Sequence, residues 1–468
     1  MSETIFSASE LSEIFGQKIE FGVSDIKTSS KSVRAGDLFV AIRGSVFDGH
    51  DFCEEALKNG ASLLMVERKI AGIADNRQIL VNSHMDALEK LAKFSITRAN
   101  AKIFGITGSV GKTTTKEMLY HILSQSLKSN VYASQKNFNS QLGMPICAAK
   151  MPADTKIAVL EMGMSQVGEI KRLINIAPPS ASIITNICET HLEFFSSMFD
   201  TARAKSEIFE TQSPQEFAII PQDCAYTDFL REKAEKCGVK KVYSFGFSKN
   251  ADVKVDSYEF SDSGFLVTAN FAGEKITYRL NCHNISTISN SISAIFAAHL
   301  LSGISFSQLA ESLENFSSPH ARGETIYLDK RDIWLVDDSY NACLTSVHSA
   351  IQSMQRYRGR RKILVFGDMG ELGSGAVNFH RQISSAIDKF GIDVVYACGE
   401  LAQRLFDNLR DEKKGAWAEN SEQLAEIVAD QVQNGDSVLV KGSRFMKMER
   451  VVEALKLTNE QICEKKTA

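Results

Sequence analysis

Residues 102–114 read KIFGITGSVGKTT, an apolar strand that runs into a glycine-containing loop and then into the helical stretch KEMLYHILSQSL (116–127). In that order, backbone N–H groups and a helix N-terminus are aimed to hold phosphate, and Lys112 adds a point charge. Thr113 is placed to ligate Mg²⁺. The full spacing G-x-x-x-x-G-K-[ST] needs glycine at 106, where Ile106 stands. Gly105 and Gly108 flank the gap, leaving a shortened T-G-x-x-G-K-T-T. The loop itself consists of Gly108, Ser109, Val110, Gly111, Lys112, Thr113 and Thr114.

Outward from this loop, the apolar strands IAVLEMG (157–163), ASIITNI (181–187) and EFAIIP (216–221) alternate with helical stretches. That alternation predicts a parallel α/β sheet over residues 98–315. Residues 1–97 form a separate block of short strands, GDLFVAIRG (36–44), ASLLMVE (61–67) and RQILVN (77–82), with short helices and dense turn chemistry. Residues 316–468 repeat the α/β pattern with DIWLVDD, RKILVFGDM, DVVYACGE and SVLVKGSR. Most of those strands end in Asp, Gly or Lys, where open α/β sheets place their ligands. Three blocks suit a chain of 468 residues.

Composition narrows the function. There are 53 Lys and Arg against 57 Asp and Glu, for a net charge of −4. Such a balance argues against coating nucleic acid or binding a membrane through a polybasic patch. The N-terminus lacks a signal-peptide pattern, and apolar runs such as ISAIFAAHLL (292–301) are too short to span a bilayer. Nine cysteines occur without any C-x-x-C pair, which suits free thiols in a reducing cytoplasm and not a zinc module or a disulfide scaffold.

Several residues carry candidate chemistry. Glu161 ends one strand and His191 follows another, so both can converge on a metal beside the phosphate loop; a helix N-cap partner and an ordinary loop histidine are the plain alternatives. Lys205 lies in a predicted helix, TARAKSEIFE (201–210), with Ile208 and Phe209 on its face. Read alone, it is a solvated or snorkelling surface lysine. Arg322 sits where the second block ends and suits a phosphate clamp across a cleft or a simple linker charge. DDSYNA (337–342) closes a strand with two carboxylates and an amide, a reasonable nucleotide-contacting turn.

Taken together, these strings resemble the Mur ligase superfamily. The carrying strings are GDLFVAIRG..FDGHDF (36–52), TGSVGKTT (107–114), NFNSQLGMP (137–145), EMG...GEI (161–170) and THLEF..........AKSEIF (190–209). The C-terminal block adds ARGE (321–324), DDSYNA, GDMGELG (367–373) and LVKGSRFMKME (439–449). The resemblance implies three α/β domains: a small UDP-binding domain, a central P-loop ATPase domain and a Rossmann-like C-terminal domain. It also implies an ATP-dependent amide ligase that joins D-Ala-D-Ala to UDP-MurNAc-tripeptide through an acyl phosphate, acting as a cytoplasmic monomer. By position, Lys112 and Thr113 match the family's phosphate and Mg²⁺ residues, Glu161 and His191 its metal ligands, and Lys205 its carbamate-bearing, metal-binding lysine. Arg322 and Asp338 match nucleotide contacts. Ser30, Asp48 and His50 match the UDP-binding strings, and Asn137 and Asn139 the asparagine loop near the nucleotide-sugar peptide.

Three positions depart from the family pattern. Ser140 replaces the last asparagine of that loop, and Lys31 follows Ser30 where arginine is common, losing a guanidinium fork. The adenine motif reads HNISTISN (283–290), so Asn284 and Asn290 both qualify, with spacing favouring Asn290. Rival readings are other amide ligases of the superfamily, a P-loop nucleotide switch without ligase chemistry, and a scaffold with a vestigial loop. The third peptide residue, meso-diaminopimelate or lysine, stays open.

Overall fold

The computed structural model describes residues 4–44, 46–127, 130–135, 138–261 and 263–467, with side chains to 460. Among these residues the strands form three sheets. The first is small and parallel, in the order Ile26–Lys27, Leu38–Val40, Leu63–Val66 and Gln78–Leu80. Its middle strands are buried on both faces, which explains their unbroken apolar sequence.

The second sheet positions the phosphate loop. From one edge its order is Glu274–Leu280, Gly264–Phe271, Val253–Ser261, Val242–Gly246, Phe217–Pro221, Ala181–Ile184, Lys102–Thr107, Ile157–Glu161 and Val131–Ala133. The strands from Val253–Ser261 to Val131–Ala133 run parallel. Lys102–Thr107 lies between Ile157–Glu161 and Ala181–Ile184, so successive strands leave it in opposite directions. That makes its carboxyl end a topological switch point, where a crevice opens between diverging connections. The helix Lys112–Leu127 begins there. At the edge where this order begins, Gly264–Phe271 pairs antiparallel with both Val253–Ser261 and Glu274–Leu280. The pattern of Gly264–Phe271 and Glu274–Leu280, buried residues alternating with exposed ones, adds a half-solvated extension that the parallel reading of the block does not include.

The third sheet runs Glu324–Leu328, Ile333–Asp338, Ser437–Lys441, Lys362–Gly367, Val394–Cys398 and Lys414–Ala418, all parallel except the first. Ser437–Lys441 returns to its centre, and its register places Lys441 opposite Asp338 at the carboxyl ends. Among the described residues no helix is long and apolar enough to cross a membrane.

Apolar packing fixes the phosphate-loop strand. Phe104 is fully buried, its ring 6.0 Å from that of Phe217. Phe104→Ala is expected to cost about 3–5 kcal/mol, because removed transfer energy and a residual cavity add. Denaturant unfolding checks this, and a loss below about 1 kcal/mol would show that the strand is not anchored there.

Candidate active site

The loop after Lys102–Thr107 is held from beneath by the residues that follow the neighbouring strand. Ser109 N–H donates to the Asn186 carbonyl (3.0 Å), and Val110 N–H donates to Asn186 Oδ1 (2.9 Å). The Thr185 hydroxyl donates to the Val110 carbonyl at 2.5 Å. Gly108 has φ 146°, and a Cβ there would stand 1.9 Å from Thr185 Oγ1, so no side chain fits without moving the loop. Gly111, φ 83°, packs its α-carbon against the Asn290 side-chain amide. Asn284 is occupied differently: its Oδ1 accepts from Ser286 N–H and hydroxyl at the start of the helix Ser286–Ser302.

The loop borders a cleft of about 1160 Å³ between the second and third sheets. Ser109 to Thr114, Asn139, Glu161, His191, Asn284, Asn290, Arg322 and Asp338 all line it. Lys112 Nζ donates to the Gly108 and Ser109 carbonyls (2.6 and 3.2 Å), which fixes its charge inside the loop. Desolvation by the cleft walls brings its ammonium below the ordinary range, against the opposing pull of Glu161. The Thr113 hydroxyl donates to Glu161 Oε2 (2.9 Å), and Asn139 Nδ2 donates to Glu161 Oε1 (2.6 Å). Ser134 Oγ accepts from Glu161 N–H (2.8 Å) and steadies the strand end.

Lys205 departs from a surface reading. The α-helix Met198–Ser206 passes into a 3-10 turn, Glu207–Phe209, and buries Lys205 with Ile208 and Phe209. Among the described residues no hydrogen bond or ion pair reaches its ammonium. Burial holds its pKa well below the usual lysine range, and the nearby charge of Lys112 lowers it further.

The third sheet supplies the opposite wall. Lys441 Nζ pairs with Asp338 Oδ2 at 2.7 Å in the interior and also donates to the Asn341 carbonyl. Burial pushes the Asp338 carboxyl up, with Lys441 and Arg322 opposing. The Arg322 guanidinium lies 3.9 Å from the Tyr340 ring centroid, a cation–π contact. Across the cleft, His191 Nδ1 approaches Glu371 Oε2 at 2.5 Å, and this pairing holds the Glu371 carboxyl below its ordinary value. Both residues sit in the left-handed region, at φ 61° and 59°. Strained backbone of this kind persists where surrounding contacts over-determine it. Here Glu193 N–H donates to the Glu371 carbonyl, 3.1 Å away.

Ser30, Asp48 and His50 do not line this cleft. They lie in the first body, where the Ser30 hydroxyl donates to Glu55 and His50 Nδ1 meets Asp48 Oδ1 at 2.6 Å. The His50 amide, Arg68 and the His50 ring hold Asp48 well below the usual carboxylate range. Asn137 lies outside the described residues. Roles the sequence reading did not assign belong to Thr185, Asn186, Tyr340, Glu371 and Lys441. All stand within quoted strand ends or strings, but only the fold shows which of them turn into the cleft.

Family models match in three consecutive stretches: the Mur ligase family catalytic domain over residues 23–95, the Mur ligase middle domain over 106–298, and the Mur ligase glutamate ligase domain over 321–444. The chain belongs to the Mur ligase family. It is 30% identical over 96% of its length to a UDP-N-acetylmuramoyl-tripeptide–D-alanyl-D-alanine ligase of Rickettsia prowazekii, covering 99% of that protein. A crystal structure of MurF from Acinetobacter baumannii superposes with a TM-score of 0.85 at 29% identity, covering 96% of this chain and 98% of that one. MurF from Thermotoga maritima in complex with ADP gives a TM-score of 0.80 at 30% identity, covering 93% and 98%.

Gly108→Ala is expected to lower turnover by about 10²-fold while leaving the circular dichroism spectrum unchanged, because the displaced loop misplaces Lys112. Full activity in that variant would contradict the loop's role.

Proposed function

We infer that the chain is an ATP-dependent, ADP-forming ligase that joins D-alanyl-D-alanine to UDP-N-acetylmuramoyl-tripeptide in peptidoglycan precursor synthesis. One observation carries the reading. A phosphate loop on one sheet and a buried Asp338–Lys441 pair on another face a single cleft, in a chain alike over its whole length to ligases of that name. The three blocks 1–97, 98–315 and 316–468 are read as binding the uridine nucleotide, binding ATP and completing the site, in a monomer that works in the cytoplasm. Ser30, Asp48 and His50 are assigned to the nucleotide-sugar end, and Asn137 with Asn139 to its peptide.

A carboxylate is a poor electrophile, since its charge repels nucleophiles. Transfer of the ATP γ-phosphoryl group to the tripeptide carboxylate removes that charge and creates a leaving group. The dipeptide amine then attacks the acyl carbon, phosphate departs, and an amide remains. Lys112 and the first N–H groups of the helix Lys112–Leu127 offset charge on the transferring phosphoryl group. Arg322, beside Tyr340, and Asp338, held by Lys441, orient the nucleotide, and Asn290 sits beside the loop for the adenine end. Closure of the two walls keeps water from hydrolysing the acyl phosphate.

The donors present suit Mg²⁺: the Thr113 hydroxyl and the Glu161 carboxylate are hard oxygens already 2.9 Å apart, with His191 on the same cleft. These residues and Lys205 would hold it, and the ion supplies positive charge against phosphate oxygens. Lys205 is best read as carbamylated. Burial and the Lys112 charge push its buried, unpaired amine toward the neutral form, and a neutral amine attacks CO₂ and loses a proton to leave an anionic N–COO⁻ group. That group offers two oxygens where an ammonium would repel a cation.

Mass spectrometry of products from UDP-MurNAc-tripeptide, D-Ala-D-Ala, ATP and Mg²⁺ should show the pentapeptide product. Vigorous ATP hydrolysis with neither acceptor nor donor present would contradict the ligase reading and favour a nucleotide switch. Lys112→Ala should lower the rate by about 10²-fold or more, in steady-state kinetics. Lys205→Ala should fold normally yet be nearly inactive, with partial recovery in acetate; full activity without acetate would overturn the carbamate.

A further inference from the structure

Two thiols meet where the phosphate-loop body touches the C-terminal body. Cys188 follows the strand Ala181–Ile184, and Cys343 immediately precedes the helix Leu344–Ser353 of the C-terminal body. Their sulfurs are 3.7 Å apart and both side chains are buried. A disulfide needs about 2.05 Å, so a modest approach of the two segments closes the bond. The segments are already registered, since the Thr345 hydroxyl donates to Glu189 Oε2 at 2.8 Å beside the sulfur pair.

Each cysteine is tied to working parts. The Cys188 amide and carbonyl both bond the Ser109 hydroxyl (3.1 Å each), so this residue is fastened to the phosphate loop. Cys343 lines the cleft, within reach of small solutes, and its amide donates to Ser346 Oγ. The hydrogen bond from Cys188 and the helix N-terminus favour the Cys343 thiolate, the more nucleophilic form, while Cys188 stays protonated.

We propose that Cys188 and Cys343 form a reversible disulfide in response to hydroperoxides, tying the phosphate-loop body to the C-terminal body and stopping turnover. Cys343 sulfur attacks one peroxide oxygen and the O–O bond breaks, giving Cys343–SOH and water once protons are redistributed. Cys188 sulfur then attacks Cys343 sulfur, and the S–O bond breaks to release a second water. In balance, two thiols and one hydrogen peroxide give one disulfide and two waters. Where a cleft opens and closes in each cycle, a covalent strap across it blocks substrate entry and product exit.

The full-length protein is reduced, treated with hydrogen peroxide, alkylated and digested without reductant. The expected result is a peptide pair joining residues 188 and 343, an intact mass lower by two hydrogens, and reversal by dithiothreitol. Treated wild type should release phosphate about tenfold more slowly and recover on reduction. Cys188→Ser and Cys343→Ser, each compared with its own untreated form, should change by less than about twofold. The mass readout is independent of the ligase reading. Sulfinic acid on Cys343 with no cross-link, links between other cysteines, a cross-link with turnover retained, or equal inactivation of both variants would each overturn the proposal.

Discussion

The approach of the Gly108 α-carbon to the Thr185 hydroxyl is the constraint on which the rest of the site depends. A phosphate loop has to present bare backbone to a highly charged ligand, and bare backbone is floppy unless something packs against it. Here one strand end grips the next. Thr185 and Asn186 take the loop's own donors and acceptors, so its curvature is set by the register of two parallel strands. From that fixed loop the helix Lys112–Leu127 gains its starting direction, and Thr113 reaches Glu161 on the strand at the other side. The switch point is therefore both the support of the loop and the source of its two flanking carboxylate and amide groups.

A second constraint acts between bodies. Lys112 lines the cleft, and Lys205 lies buried close enough to it for the Lys112 charge to oppose protonation of its amine. Such an arrangement is costly in a dry interior unless anionic ligands enter it. Phosphate oxygens brought there would relieve that repulsion. On the facing wall the buried Lys441–Asp338 pair neutralises itself, and Arg322 lines the cleft against the Tyr340 ring. The His191–Glu371 contact, built on two left-handed residues, holds the GDMGELG turn against the segment that follows the phosphate-loop support.

Much of this was legible in the chain itself. Strand–loop–helix order points to Lys112 and Thr113, and strand ends point to Glu161 and Asp338, because both signals are local; all four line the cleft. The burial of Lys205 was not legible from its helix, since it is set by how that helix and the 3-10 turn after it pack in the fold. Glu371 carries no local pattern that points to His191; a turn of the third sheet delivers it. The antiparallel strands beyond Val253 were missed for another reason, their half-exposed faces diluting the apolar signal. Asp48 and His50 are bonded to each other, a pairing that residue types alone do not reveal.

The central claim is that the cleft activates a carboxylate by phosphorylating it, and following an oxygen atom tests this most directly. With ¹⁸O in the terminal carboxylate of UDP-MurNAc-tripeptide, the label is traced by mass spectrometry of the phosphate released as D-Ala-D-Ala is added. Attack of that carboxylate on the γ-phosphorus requires one labelled oxygen to leave with phosphate when the amide forms. Label recovered in inorganic phosphate in step with amide formation is the predicted result. Unlabelled phosphate accompanying amide formation would contradict the account.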